Sequence, residues 1–244
     1  MEFTMDFKNE NTWLMHGDCI ERMKEIPDGS VDMILADPPY GTTACKWDSI
    51  IPLEPMWEQL KRVIKPNGAI VMTASQPFTT TLIASNMKMF KYCWVWDKKS
   101  AANVMNAKYS PLKIHEDVVV FGGCYRPQKV KGKGRWKGGK KKPSEIDNVN
   151  IPGRYWSDEY YPKSILQFSN ASQKGKCHPT QKPVALMEYL IKTYTNECET
   201  VLDFTMGSGT TGVACKNLNR SFIGIEFDDG YFNISKERID SANF

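Results

Sequence analysis

The short apolar run Val201 to Phe204 leads directly into Gly207-Ser208-Gly209-Thr210-Thr211-Gly212. This reads as a strand, a Gly-x-Gly-x-x-Gly turn and a helix over Thr210 to Leu218. Glycines at such a turn let a nucleotide lie close to the backbone and the helix N-terminus. Glu226 ends the next apolar run, Phe222 to Ile225, 17 residues after Gly209. An acid there can accept hydrogen bonds from ribose hydroxyls. The position of the turn constrains the fold most. In a dinucleotide dehydrogenase this fingerprint opens the domain and most of the sheet follows it. Here one strand and one helix, Tyr231 to Ile239, remain after Gly212. The rest of the sheet must come from the N-terminal side, in a circularly permuted order. No Gly-Lys-Ser/Thr ends the loop, which argues against a Walker phosphate loop.

The N-terminal part supplies the missing strands. Trp13 to Met15 reads as a strand, and Asp18 to Glu21 fits a capping box that opens a helix to Ile26. Val31 to Leu35 is a buried strand that runs into Asp37-Pro38-Pro39-Tyr40. The prolines fix two φ angles and remove two N–H donors. What remains is a stiff corner of carbonyl oxygens, one carboxylate and one ring, suited to a flat ligand that donates N–H groups. Gly41 to Pro52, containing Lys46, Trp47 and Asp48, reads as a mobile surface loop. Further helices are expected over Leu53 to Lys65, Gln76 to Met87 and Pro183 to Thr195. Further strands are expected over Ala69 to Thr73, Tyr92 to Trp96 and Asp117 to Phe121. Seven strands alternating with helices predict an α/β fold: a seven-stranded, mostly parallel, Rossmann-like sheet with helices on both faces.

Gly122 to about Lys176 breaks the pattern, with Gly-Lys repeats, scattered aromatics and no clean period. It divides the chain into 1–121, an inserted segment 122–176, and 177–244. Net charge is +4, yet Gly122 to Pro143 holds nine Lys or Arg and no acid, so the remainder carries −5. An acidic body with one basic segment suggests a polyanion partner. Seven cysteines without a CxxC pair fit neither a zinc ribbon nor a disulfide framework, and three histidines suggest no metal. No apolar run of membrane-spanning length and no leader pattern is visible, so a cytoplasmic protein without a membrane partner is expected.

The order Asp37-Pro38-Pro39-Tyr40, a variable basic region, His178 to Pro183, then Asp203 to Thr211 resembles the permuted β-class of S-adenosylmethionine-dependent DNA amino-methyltransferases. The resemblance covers most of the chain except Gly122 to Lys176. It implies that S-adenosylmethionine is the cofactor and that an exocyclic amine of a flipped base in duplex DNA is the acceptor. Asp before the prolines points, by that analogy, to adenine N6 rather than cytosine N4. The resemblance implies catalytic roles for Asp37, Pro38, Pro39 and Tyr40. It implies cofactor contacts from Asp18, Asp37, Thr180, Lys182, Asp203, Phe204, Gly207, Gly209, Thr210 and Glu226. The family's glycine motif usually reads Asp-Pro-Phe, so Phe204 and Thr205 depart from it. Lys129, Lys131, Lys133, Arg135, Lys137, Lys140, Lys141 and Lys142 are expected to contact phosphates, with Lys46 and Trp47 closing over the base. A homodimer and a cognate restriction endonuclease are further partners the resemblance leaves room for. RNA or protein-amide transfer, a nucleotide-dependent oxidoreductase and an inactive DNA-binding module are the competing readings; the motif order disfavours the first two.

Overall fold

A computed structural model of the chain describes residues 6–43, 48–138, 154–170 and 181–242. The chain divides into two compact units, Met1–Arg126 with Ser164–Phe244, and Pro127–Lys163.

The larger unit is built on a nine-stranded sheet. In chain order its strands are β1 (Phe7–Lys8), β2 (Thr12–His16), β3 (Val31–Ala36), β4 (Ile64–Ala74), β5 (Phe90–Ala102) and β6 (Lys113–Gly122). After the smaller unit's β7 (Val130–Lys137) and β8 (Tyr155–Tyr160) come β9 (Ile165–Gln167), β10 (Thr200–Asp203) and β11 (Ser221–Glu226). The spatial order is β1-β2-β11-β10-β3-β4-β6-β5-β9. Neighbours from β2 through β4 run parallel, and β6 is antiparallel to both β4 and β5. The seven strands read from the sequence form the body of this sheet. The additions are the two short edge strands, β1 antiparallel to β2 and β9 parallel to β5. The two C-terminal strands insert between β2 and β3, which is the permutation that the late glycine turn demands.

Alternation along the strands feeds two cores, because successive side chains point to opposite faces. Met33, Leu35, Val71, Val118 and Val120 join one core; Ile34, Ile70, Met72, Val119 and Phe121 join the other. The first face is covered by α4 (Val184–Tyr194), α5 (Thr210–Asn217) and α6 (Asp229–Ser241), through Leu190, Cys215 and Phe232 among others. The second is covered by α1 (Cys19–Met23), α2 (Leu53–Val63) and α3 (Phe78–Ser85), through Met23, Leu60 and Leu82. Among the described residues no helix is long and apolar enough to cross a membrane.

The smaller unit contains the antiparallel pair β7 and β8. The lysine-rich run, expected to be irregular, is therefore a strand over Val130–Lys137. Glycines occupy it because aromatic rings lie over them: a Cβ on Gly134 would fall 2.0 Å from the Trp156 ring, and one on Gly132 2.9 Å from the Tyr160 ring.

Candidate active site

Four carboxylates line one edge of the parallel sheet. Asp18 follows β2, Glu226 ends β11, Asp203 ends β10 and Asp37 follows β3, and these four strands are consecutive neighbours. This is the carboxyl edge, where ligands of open α/β sheets bind.

The Asp37 carboxylate is held on both oxygens. Oδ1 accepts from the Tyr40 hydroxyl at 2.7 Å and from the Thr73 hydroxyl. Oδ2 lies 2.8 Å from the Lys182 ammonium, which also lies 3.1 Å from Glu116 Oε2. Glu116 Oε1 in turn lies 3.1 Å from Lys98 Nζ. The result is a chain of alternating charge, Asp37–Lys182–Glu116–Lys98, in which both lysines are buried. Burial alone would lower the Lys182 ammonium's pKa. Asp37 and then Glu116 more than reverse this and hold it above the ordinary lysine value. Burial would likewise raise Glu116, but Lys182 and Lys98 hold it below its ordinary value. Tyr40 is pushed well above the usual phenol range by burial first and by Asp37 second, so it stays a hydrogen-bond donor. Its ring stacks on Phe78 at 5.6 Å.

The Asp-Pro-Pro-Tyr corner is fixed from its far side by Asp48. Oδ1 accepts from the backbone N–H groups of Tyr40 and Gly41 at 2.8 and 2.9 Å; Oδ2 accepts from those of Thr42 and Thr43 at 2.9 and 2.7 Å. Four successive amides thus form a concave anion nest around one buried carboxylate. Gly41 makes the turn possible with φ +66°. Burial would raise the Asp48 carboxyl, but the Thr43 hydroxyl and the loop amides outweigh it and hold the group below the ordinary range. The sequence reading of Gly41 to Pro52 as mobile is therefore corrected at Gly41 to Thr43 and at Asp48, which are tied together. Lys46 and Trp47 lie outside the described residues.

At the glycine turn, Glu226 Oε2 accepts from Gly207 N at 2.8 Å and Oε1 from Asp228 N at 2.9 Å. The Phe227 amide also supports this carboxylate, and of its roughly four acceptor positions about one remains to spare. Burial raises the Glu226 carboxyl above its ordinary value. Asp203 accepts from the Thr211 hydroxyl at 2.6 Å and Thr205 N at 3.1 Å, and burial pushes it up to about 7. Among the described residues nothing lies within 4 Å of where a Cβ on Gly207 (φ +52°) would fall. The nearby buried Thr205 hydroxyl has no hydrogen-bond partner among the described residues. Open space, an unpartnered hydroxyl and a spare carboxylate lone pair fit a nucleoside with polar edges. Gly209 caps α5 with φ +77°, and Thr210 begins that helix, which has no side-chain cap. Asp18 caps α1, accepting from Ile20 N and Glu21 N through Oδ1. Phe204 is 1% exposed and belongs to the second core. Thr180 lies outside the described residues.

In the smaller unit, Lys131, Lys133, Arg135 and Lys137 recur at every second residue of β7, across a register shift between Lys131 and Arg135. Lys129 pairs with Glu159 at 3.0 Å. Lys137 and Arg135 lie over the Tyr160 ring at 4.2 and 5.1 Å. Lys140, Lys141 and Lys142 lie outside the described residues.

The N6/N4 methyltransferase family, described as DNA methylase, matches residues 31–237, and the chain belongs to that family. Type II methyltransferase M.HpaI of Haemophilus parainfluenzae is 29% identical, over 93% of this chain and 74% of its own length. DNA adenine methyltransferase YhdJ of Escherichia coli is 28% identical, over 97% of this chain and 85% of its own. Among solved structures, the M1.HpyAVI–SAM complex is 28% identical with a TM-score of 0.65, covering 94% of this chain and 99% of its own. The cytosine-N4-specific PvuII DNA methyltransferase shares the fold, with a TM-score of 0.69 at 19% identity, covering 97% of this chain and 89% of its own.

Removing one charge from the buried chain should expose how it is balanced. Lys182→Met leaves Asp37 and Glu116 without their shared cation and should cost about 3–5 kcal/mol of unfolding free energy. Lys182→Met with Glu116→Gln should recover part of that loss, a coupling that denaturant melts of the single and double variants measure.

Proposed function

We propose that this chain transfers a methyl group from S-adenosylmethionine to the N6 amine of an adenine flipped out of duplex DNA. The observation that carries the reading is the Asp37 carboxylate, fixed at the carboxyl edge in the same row as Asp203 and Glu226. The adenine named for YhdJ and the SAM named for M1.HpyAVI support it.

The chemistry asks for acceptors. An aromatic amine is a poor nucleophile because its lone pair is delocalised into the ring. Asp37 accepts one N–H of the amine and the Pro38 carbonyl the other, which turns the lone pair out of the ring plane. Lys182, Thr73 and Asp48 keep that corner from moving, so catalysis comes chiefly from positioning and preorganised charge. Tyr40, backed by Phe78, is the platform on which the extruded base stacks. Once the new nitrogen–carbon bond forms, the amine nitrogen is cationic, and its proton passes to the carboxylate already bonded to it.

The cofactor, when bound, would supply an electrophilic methyl on a sulfonium sulfur, which keeps the electron pair of the broken methyl–sulfur bond and leaves as a neutral thioether. Glu226 would hold the ribose hydroxyls, Asp18 the adenine amine, and Asp203 the methionine end. Gly207, Gly209 and Thr210 would let it approach the backbone. Lys182 serves this site through Asp37. The cations of β7 are phosphate contacts that set affinity and register rather than sequence. Such an enzyme works in the cytoplasm with the DNA it modifies, and a second copy of the chain or a cognate endonuclease is compatible with that role. Cytosine N4 is the second reading, because the same acceptors suit either amine and the matched family includes both.

Asp37→Ala should keep cofactor binding, read by calorimetry, while methyl transfer falls by on the order of 10²–10³-fold. Full-rate transfer by a folded, cofactor-binding variant contradicts the role of Asp37. Changing Lys131, Lys133, Arg135 and Lys137 to Gln should flatten the slope of log affinity against log salt by about 0.9 for each phosphate no longer neutralised. Fluorescence anisotropy at several salt concentrations measures it.

A further inference from the structure

The glycine turn and the segment that carries Lys182 meet through side chains. Gln181, Lys182 and Ser208 are all buried. Ser208, between Gly207 and Gly209, donates through its hydroxyl to Gln181 Oε1 at 3.4 Å. Arg238 of α6 engages the same serine: its Nη1 donates to Ser208 Oγ at 2.9 Å and to the Ser208 carbonyl. A guanidinium can only donate, and a hydroxyl has one proton to give. Accepting from Arg238 therefore leaves the Ser208 proton for Gln181, and the charged donor polarises the hydroxyl and strengthens that bond. Gln181 directly precedes Lys182, whose ammonium lies 2.8 Å from Asp37 Oδ2. The line Arg238–Ser208–Gln181 thus runs from α6 through the glycine turn to the residue beside the Asp37 ion pair.

Sheet pairing fixes Asp37 against Asp203, but it does not reach Lys182. Gln181 and Lys182 lie outside the strands, just ahead of α4, whose N-cap Pro183 makes no side-chain cap bond. Packing of α4 against α5 in the first core sets the helices; the Ser208–Gln181 contact sets the residues that precede α4. Its length leaves room to adjust, since O–H···O bonds settle near about 2.7 Å. A ligand seated on Gly207 to Gly209 acts on Ser208, and through Gln181 on Lys182 and Asp37. Misplacing reacting groups by about 1 Å can cost about 10²-fold in rate. We infer that Ser208 and Gln181 form a positioning pair, which registers the Asp37 corner against the glycine turn so that the methyl donor and the acceptor amine meet at reacting distance. This rests on the methylation reading above. Neither side chain has to touch cofactor or base to act in this way.

The test compares four variants of the full chain: Ser208→Ala, Gln181→Met, the two together, and Gln181→Glu, which keeps an acceptor for the serine proton. Circular dichroism checks folding. Calorimetry with S-adenosylmethionine gives the cofactor Kd. Single-turnover transfer to a duplex carrying the methylation site, found by sequencing modified bases, gives the rate of the chemical step. Each single variant should bind the cofactor within about threefold of wild type and transfer the methyl about tenfold more slowly. The double variant should be no slower than either single, because both changes remove one contact. Gln181→Glu should recover most of the rate. Unchanged rates in folded single variants overturn the inference, as do losses that multiply in the double variant. A weaker cofactor Kd with an unchanged rate at saturation also overturns it and places Ser208 in the cofactor site instead. If Ser208→Ala does not fold, equal rates for Gln181→Met and Gln181→Glu overturn it. A wild type that binds S-adenosylmethionine but methylates no DNA overturns the methylation reading, and this inference with it; a methylating wild type with unchanged variants overturns this inference alone.

Discussion

The Asp37 corner of the carboxyl edge depends on one buried ammonium. Lys182 enters from the segment just before α4, Asp37 from the end of β3 and Glu116 from β6, and the three meet within 3.1 Å. A buried ion pair is a poor source of net stability, because desolvation consumes most of the attraction. Its effect here is geometric: the lysine can lie in only one place, and Asp37 is fixed with it. Thr73 from β4 and the amide nest around Asp48 hold the same corner from two other directions. In the proposed reaction a carboxylate that orients an amine lone pair benefits from that rigidity more than from basicity.

The sheet order explains why the acceptor corner and the glycine turn can cooperate. Asp37 and Asp203 lie 166 positions apart in the chain, yet β3 and β10 are direct neighbours, with Met33 opposite Val201. Because the strands are parallel, both loops emerge on one side. The two halves of the site are thus joined by backbone hydrogen bonds rather than by a hinge.

Parts of this arrangement are legible in the sequence for definite reasons. The parallel strands are continuous apolar runs, and the glycine turn with its spaced acid has few other uses. The family motifs supply the order in which to join them. Asp48 and Glu116 are not legible. No local pattern connects Asp48 to the amides of 40–43, and Glu116 is one of two adjacent acids, with Asp117, at a strand's polar start, whose partners Lys98 and Lys182 come from distant elements. The β7 strand reads as irregular because alternating glycines remove its hydrophobic signal, although its cations do recur with period two. The edge strands β1 and β9, two and three residues long, are too short to show any period. Analogy assigns Phe204 to the cofactor, but at this point the chain departs from the family's pattern, and the ring packs in the core.

In the proposed function the Asp37 corner holds the amine of adenine for methyl transfer. Expressing the chain in a host that lacks adenine methylation, then sequencing the host's DNA by a method that distinguishes modified bases, tests this most directly. The expected result is N6-methyladenine confined to one short sequence motif and absent when Asp37→Ala is expressed. Methylation at cytosine N4 alone, or N6-methyladenine that persists in the Asp37→Ala host, would contradict it.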